Sequence, residues 1–176
     1  MKSSGDLRAF VRDIPDFPRP GIVFKDITPL LLDPRALDAA VSMLAGFTEP
    51  LAADLVVAAE ARGFILGGAL ARQLGIGFVP ARKPGKLPHE TVSAQYALEY
   101  GLDALEVHSD ALSGGTRVIV HDDLLATGGT AGAVCELIEG LGGQVAACAF
   151  LVELSFLGGR QRLAPRQVHS LIEYAD

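Results

Sequence analysis

No stretch of this chain is apolar for long enough to cross a membrane. Residues 1–11 carry charges where a secretory leader needs an apolar run. Positive charge is scarce too: 15 Lys and Arg face 21 Asp and Glu, for a formal net charge of −6. A chain that acidic lacks the basic surface that nucleic acid requires. Cysteine is confined to Cys135 and Cys148, in a predicted helix and a predicted strand, without metal-ligand spacing or a neighbouring His. Both are expected as buried, reduced thiols, which suits the cytoplasm. Two phosphate-binding patterns are missing as well. There is no Gly-x-x-x-x-Gly-Lys-[Ser/Thr] and no Gly-x-Gly-x-x-Gly after a strand, which excludes a nucleoside-triphosphatase loop and a dinucleotide fingerprint. Internal repeats, low-complexity tracts and signs of a second domain are also lacking, so residues 1–176 are expected to form one domain.

What the chain has is apolar bulk, 49% of its residues with a mean hydropathy of +0.33. That suits a sheet covered on both faces, with apolar area left over for a subunit interface. Runs at 55–60, 77–82, 117–121, 145–154 and 169–174 read as buried strands. Helical spacing occurs at 35–51, 63–74 and 129–141. In the first of these helices Leu37, Val41, Leu44 and Phe47 share a face, and Asp33 is placed to cap it. Strands alternating with helices predict an α/β fold with a mostly parallel central sheet and right-handed crossovers. Segment 1–34 is rich in proline and reads as an irregular, rigid, partly buried loop. Segment 84–110 lacks a sustained period, with strand-like pieces only around 95–100 and 104–107. A loop of that length in a compact domain is usually functional.

The most informative stretch is Arg117-Val118-Ile119-Val120-His121-Asp122-Asp123-Leu124-Leu125-Ala126-Thr127-Gly128-Gly129-Thr130. It reads as a buried strand, two carboxylates, a tight turn and a helix start. Backbone N–H groups at a helix start hold anions, because they lack intrahelical partners and lie at the positive end of the helix dipole. Two adjacent carboxylates suit sugar hydroxyls or a hydrated divalent cation. A phosphorylated ribose satisfies both. Blander readings stay open: Thr127 or Thr130 as a simple helix cap, and Asp122–Asp123 as a solvated pair.

That stretch resembles the phosphoribosyl-diphosphate signature of the type I phosphoribosyltransferases. Three further segments narrow the resemblance to the adenine phosphoribosyltransferase family: Phe17-Pro18-Arg19-Pro20-Gly21-Ile22-Val23-Phe24-Lys25-Asp26-Ile27, Glu60-Ala61-Arg62-Gly63-Phe64, and Arg82-Lys83-Pro84-Gly85-Lys86-Leu87-Pro88 with Tyr96-x-Leu98-Glu99-Tyr100-Gly101 after it. It covers roughly residues 12 to 175. The resemblance implies a type I phosphoribosyltransferase fold with an N-terminal hood (1–34) and a mobile lid (84–110). It implies transfer of 5-phosphoribose from 5-phosphoribosyl 1-diphosphate to N9 of adenine, giving AMP and diphosphate in purine salvage, by a cytoplasmic homodimer. Mg²⁺ is the implied cofactor, held mainly through the substrate rather than by protein ligands.

The same resemblance implies roles for particular residues. Ala126, Thr127, Gly128, Gly129 and Thr130 would hold the 5′-phosphate, and Asp122 and Asp123 the ribose hydroxyls, although side chains adjacent in an extended strand diverge. Arg62, Arg82, Lys83, Lys86 and Tyr100 would meet the diphosphate; without the resemblance, a short basic cluster like 82–86 reads as a solvated face. Val23, Phe24, Lys25 and Leu124 would surround the base. Glu99 would move the proton of adenine N9 or N7, and Tyr96 would anchor the lid. Two positions depart from the family pattern: Lys25, where Arg is frequent, and His121, where an aliphatic residue is usual. His121 is expected as a partly buried strand-end histidine. His89, His108 and His169 are expected at the surface, and no role is assigned to Arg8, Arg12 or the Gly158-Gly159-Arg160 turn. Another purine or a pyrimidine as the base, and a non-catalytic sensor of phosphoribosyl diphosphate, are the competing readings.

Overall fold

The computed structural model describes residues 7–98 and 101–176. The chain begins with an antiparallel ribbon, β1 (Arg12–Pro15) and β2 (Val23–Asp26), followed by a short helix α1 (Thr28–Leu32) and a longer one, α2 (Pro34–Thr48). Residues 12–15, 23–26 and 28–32 are therefore regular where an irregular loop was expected, and 16–22 between the strands remains irregular. Its strands are only four residues long, too short for alternation to register in a Pro-rich context. The structure continues through β3 (Leu55–Ala59), α3 (Gly63–Leu74), β4 (Gly77–Ala81), the hairpin β5 (Thr91–Leu98) and β6 (Gly101–His108), β7 (Arg117–Leu125), α4 (Gly129–Gly140), β8 (Gln144–Leu154), α5 (Gly159–Leu163) and β9 (Val168–Tyr174).

Five of these strands form one parallel sheet in the order β4-β3-β7-β8-β9. Strand β7 lies at its centre, and Val118, Ile119 and Val120 are buried because helices cover both faces. On one face α2 and α3 bring Leu44, Leu66 and Leu70 onto Val56, Ile119 and Leu151. On the other, α4 and the β5–β6 hairpin bring Val134, Ile138, Tyr96 and Leu105 onto Val57, Val120 and Phe150. Each fully buried Leu or Ile stabilises the fold by about 1.5–3 kcal/mol relative to an exposed one. Cys135 and Cys148 lie in the second core as free thiols with Sγ atoms 3.6 Å apart.

Asp33 caps α2 as expected, its carboxylate accepting from Arg35 N at 2.8 Å and Ala36 N at 2.9 Å. The buried face of α2 keeps the expected Val41 and Leu44, with Leu37 packed partly buried against the core, but leaves out Phe47. Ala36, Ala39, Ala40, Val41, Leu44, Ala45 and Thr48 face inward, whereas Phe47 is 45% exposed and stacks on His169 at 5.0 Å. The small alanines let α2 approach the sheet closely, and that rotates the bulkier Phe47 outward. The lid region also differs. Eight paired residues per strand run through 91–108, because Val92, Ala94 and Tyr96 oppose Val107, Leu105 and Asp103. The period of two is present there but is interrupted by the small Ala94 and the charged Asp103. Among the described residues no helix is long and apolar enough to cross a membrane.

Candidate active site

Strand β7 runs through Asp122 and Asp123 to Leu125, four residues beyond the expected end at His121. Both carboxylates therefore sit within the strand, near the carboxyl edge of the sheet, where ligands of open α/β folds gather. They do not diverge into separate surroundings. Asp122 Oδ1 accepts the N–H of Asp123 at 2.9 Å, and the two side chains interact directly. Asp123 is only 4% exposed, so the solvated-pair reading fails. Burial, and then the charge of Asp123, push the Asp122 pKa well above the ordinary range. Burial also raises Asp123, but the Arg62 guanidinium opposes it. Arg62 Nε lies 2.8 Å from Asp123 Oδ2. The pair titrates together, and its charge is the more easily kept on the Arg62 side.

After β7 the chain turns through Ala126–Thr127–Gly128 into α4. Gly128 occupies the N-cap with φ +78°, and no side chain caps the helix. Thr127 and Thr130 are thus not capping residues. The first N–H groups of α4 remain available beside a cavity of about 60 Å³ lined by residues 124–131. That is room for a group the size of a few waters. The turn is braced by a segment to which the sequence assigned nothing. A Cβ on Gly159 would overlap the Ala126 carbonyl oxygen and come within 2.8 Å of Leu125 Cδ1. Arg160, next to it, binds the buried Glu153 at the end of β8 and donates to the Val168 carbonyl at 2.8 Å. The signal that could have found this brace is the Gly158-Gly159 pair after an apolar strand.

Arg62 connects the carboxylates to the hood. Its guanidinium lies 5.0 Å from the centre of the Phe24 ring, which in turn meets Phe17 edge-on at 5.2 Å. Phe24 and Leu124 are half-buried, and Val23 is exposed. Lys25 turns the other way. Its Nζ sits 4.0 Å over the Tyr174 ring and 2.8 Å from Asp13. Arg8 stacks on the same ring at 4.5 Å.

The remaining basic residues divide. Arg82 pairs with Glu60 at 2.9 Å and donates to the Lys86 carbonyl at 3.1 Å, so it is half-buried in a network rather than solvated. Lys83 Nζ pairs with Asp103 at 3.2 Å, and Lys86 is exposed. Glu60, held below its ordinary pKa first by Arg82 and then by the Lys83 N–H, organises this segment. Tyr96 is buried and donates to Asp103 at 3.2 Å. Glu99 and Tyr100 lie outside the described residues.

His121 is fully buried rather than partly so. Its Nδ1 lies 2.8 Å from the Ala149 carbonyl, and its Nε2 has no partner. Burial lowers its pKa from 6.5 to about 4, so the ring is neutral and Nδ1–H donates. Of the other histidines only His89 is at the surface; His108 and His169 are half-buried. Among the described residues no group of three or more His, Cys, Asp or Glu could hold a metal ion.

The phosphoribosyl transferase domain family matches residues 37–169. A relative from Rubrobacter xylanophilus, an adenine phosphoribosyltransferase, is 59% identical over 97% of this chain and 92% of its own. The crystal structure of adenine phosphoribosyltransferase from Thermoanaerobacter pseudethanolicus superposes with a TM-score of 0.95 at 52% identity, covering 98% of this chain and 100% of that one. The Saccharomyces cerevisiae enzyme, solved with an imino-altritol bisphosphate and adenine, gives 0.92 at 38% identity, over 96% and 97% of the two chains.

Proposed function

This chain belongs to the phosphoribosyl transferase family, in its adenine phosphoribosyltransferase branch and with the type I fold, and from that premise we propose that it transfers 5-phosphoribose from 5-phosphoribosyl 1-diphosphate to N9 of adenine, releasing AMP and diphosphate. One observation carries the reading: a carboxylate pair, Asp123 buried and Asp122 half-buried, stands just before an uncapped helix start at the carboxyl edge of the central strand. The turn of Ala126, Thr127, Gly128, Gly129 and Thr130 receives the 5′-phosphate on its N–H groups. Asp122 and Asp123 receive the ribose hydroxyls. Their negative charge lies near the anomeric carbon, where positive charge develops as the bond to diphosphate breaks, so the gain is electrostatic.

The diphosphate leaves toward Arg62, Arg82, Lys83, Lys86 and Tyr100. Arg62 then exchanges its carboxylate partner for phosphate oxygens. Adenine lies between the hood (Val23, Phe24, Lys25) and Leu124. Because the Lys25 side chain is committed to Asp13 and Tyr174, only its backbone faces the base, and the exchange of Arg for Lys is tolerated there. Glu99, on the 84–110 lid, takes the proton that N9 gives up, and lid closure keeps water from the activated sugar.

Mg²⁺ fits this donor set as an ion carried by the substrate. Two adjacent acids, one of them neutralised by Arg62, are too few to encage it, and Mg²⁺ prefers phosphates and water with one or two carboxylates. When bound, it offsets charge on the diphosphate. Exposed Ile65 and Phe78 on α3 and the edge strand β4 support a homodimer. Buried, unbridged thiols support a reducing compartment, the cytoplasm. The test is an assay of adenine, phosphoribosyl diphosphate and Mg²⁺ for AMP, beside a panel of other bases. AMP formation with adenine preferred is expected. Preference for an oxo-purine or a pyrimidine would reject the base assignment, and inactivity with every base would reject the enzyme.

A further inference from the structure

Tyr174, the last residue of β9, meets the hood through two cations. Lys25 Nζ, on β2, lies 4.0 Å from the centre of its ring, and the Arg8 guanidinium, just before β1, lies 4.5 Å from it. Arg8 also donates to the Glu173 carbonyl. The Lys25 side chain is only 8% exposed, and a cation removed from water gains most from the face of an aromatic ring. Its carboxylate partner, the exposed Asp13, sits directly opposite on β1, within the same ribbon. That ion pair closes the ribbon on itself, whereas the contact with Tyr174 ties the ribbon to the sheet. The ring has a firm seat. Tyr174 is in register with Leu154 of β8, its carbonyl accepts the Ser155 hydroxyl at 3.2 Å, and its side chain packs against the core that α2 and α3 form with the sheet.

Alternation along β2 carries this tie to the site. Neighbouring side chains of a strand point to opposite faces, so what fixes Lys25 on one face of the ribbon fixes Phe24 on the other. The Phe24 ring meets the Arg62 guanidinium at 5.0 Å, and Arg62 pairs with Asp123 at 2.8 Å. We infer that Tyr174 is a positioning residue for the base: its ring, by holding Lys25 and Arg8, sets the height of Phe24 over Arg62 and so the width of the slot that adenine enters. The inference rests on the reading that the hood holds adenine. The tie acts on the base rather than on the sugar phosphate, because it reaches the site through Phe24. Arg62 keeps its own anchor on Asp123, so the diphosphate end does not depend on the tie.

Steady-state kinetics of the full chain with adenine, phosphoribosyl diphosphate and Mg²⁺ tests this. Tyr174→Leu keeps apolar bulk and removes the aromatic face. It is expected to raise KM for adenine roughly 5- to 30-fold, the loss of two cation–ring contacts, with kcat and KM for phosphoribosyl diphosphate within about 2-fold of wild type. Tyr174→Phe keeps the face and is expected to retain the wild-type KM. Lys25→Met is expected to raise KM for adenine as well, and the double variant to be no worse than Tyr174→Leu alone, because both remove the same contact. Lys25→Met carries the test if Tyr174→Leu does not fold. An unchanged KM for adenine in Lys25→Met or in a folded Tyr174→Leu, equal increases in KM for both substrates, or a loss in Tyr174→Phe as large as in Tyr174→Leu would overturn the inference alone. Failure of the wild type to convert adenine would overturn the base reading beneath it.

Discussion

Replacing His121 by Ile is expected to flatten the acid side of the stability curve. His121 is neutral in the folded protein because nothing in its surroundings accepts a second proton: Nδ1–H already donates to Ala149 O, and Nε2 is buried without a partner. Its pKa falls from 6.5 in an unfolded chain to about 4. Between those values the unfolded chain binds the proton and the folded one does not. Stability from this group is therefore complete above the unfolded pKa and is lost as pH falls toward the folded one. Linkage puts the loss at about 2 kcal/mol between roughly pH 7.5 and pH 5, and at about 3 kcal/mol in the acid limit. For a chain of this size, about 2 kcal/mol is roughly 4–8 °C in Tm. Asp122 and Asp123 carry raised pKa values and act with the opposite sign, so the quantity to read is the difference between wild type and variant. Urea unfolding of both proteins at the two pH values supplies it. The wild type should lose about 2 kcal/mol more than His121→Ile. Parallel losses would show that the ring is not held neutral by burial, and the account of its burial would fall.

Two further perturbations probe the site. Gly159→Ala places a Cβ against the Ala126 carbonyl; we expect about 1–3 kcal/mol of destabilisation from overpacking and weaker ribose 5-phosphate binding by calorimetry, whereas wild-type affinity would show that the brace does not shape the turn. Glu99→Gln should lower turnover by about 10²- to 10⁴-fold with phosphoribosyl-diphosphate affinity retained; unchanged turnover would remove Glu99 from proton transfer while leaving the enzyme assignment intact.

Much of this was legible in the residues because it is local. An apolar run such as Val118–Val120 makes a buried strand wherever it lies, and Thr127-Gly128-Gly129-Thr130 makes a turn because Gly128 adopts φ +78° without strain. The carboxylates precede that turn by sequence alone. The hairpin at 91–108 was obscured because the residues on its inner face are as small as Ala94 and its partner across Tyr96 is the charged Asp103. Phe47 went astray because helical spacing fixes a face but not how closely that face approaches the sheet.

The sequence alone determined the alternation of strands and helices, the position of the turn and the acids before it, since each depends on neighbours within a few residues. Only the tertiary structure decided which charges meet. Arg62 reaches Asp123 because β3 and β7 are adjacent in the sheet. Lys25 lies on Tyr174 because the hood ribbon folds back onto the last strand. Gly159 wedges beneath Ala126 because α5, which follows β8, packs against α4 and the turn before it, and Tyr96 meets Asp103 because the two strands of the hairpin pair. Such contacts depend on strand order and crossover, and no local pattern encodes the distance between residues that a fold brings together.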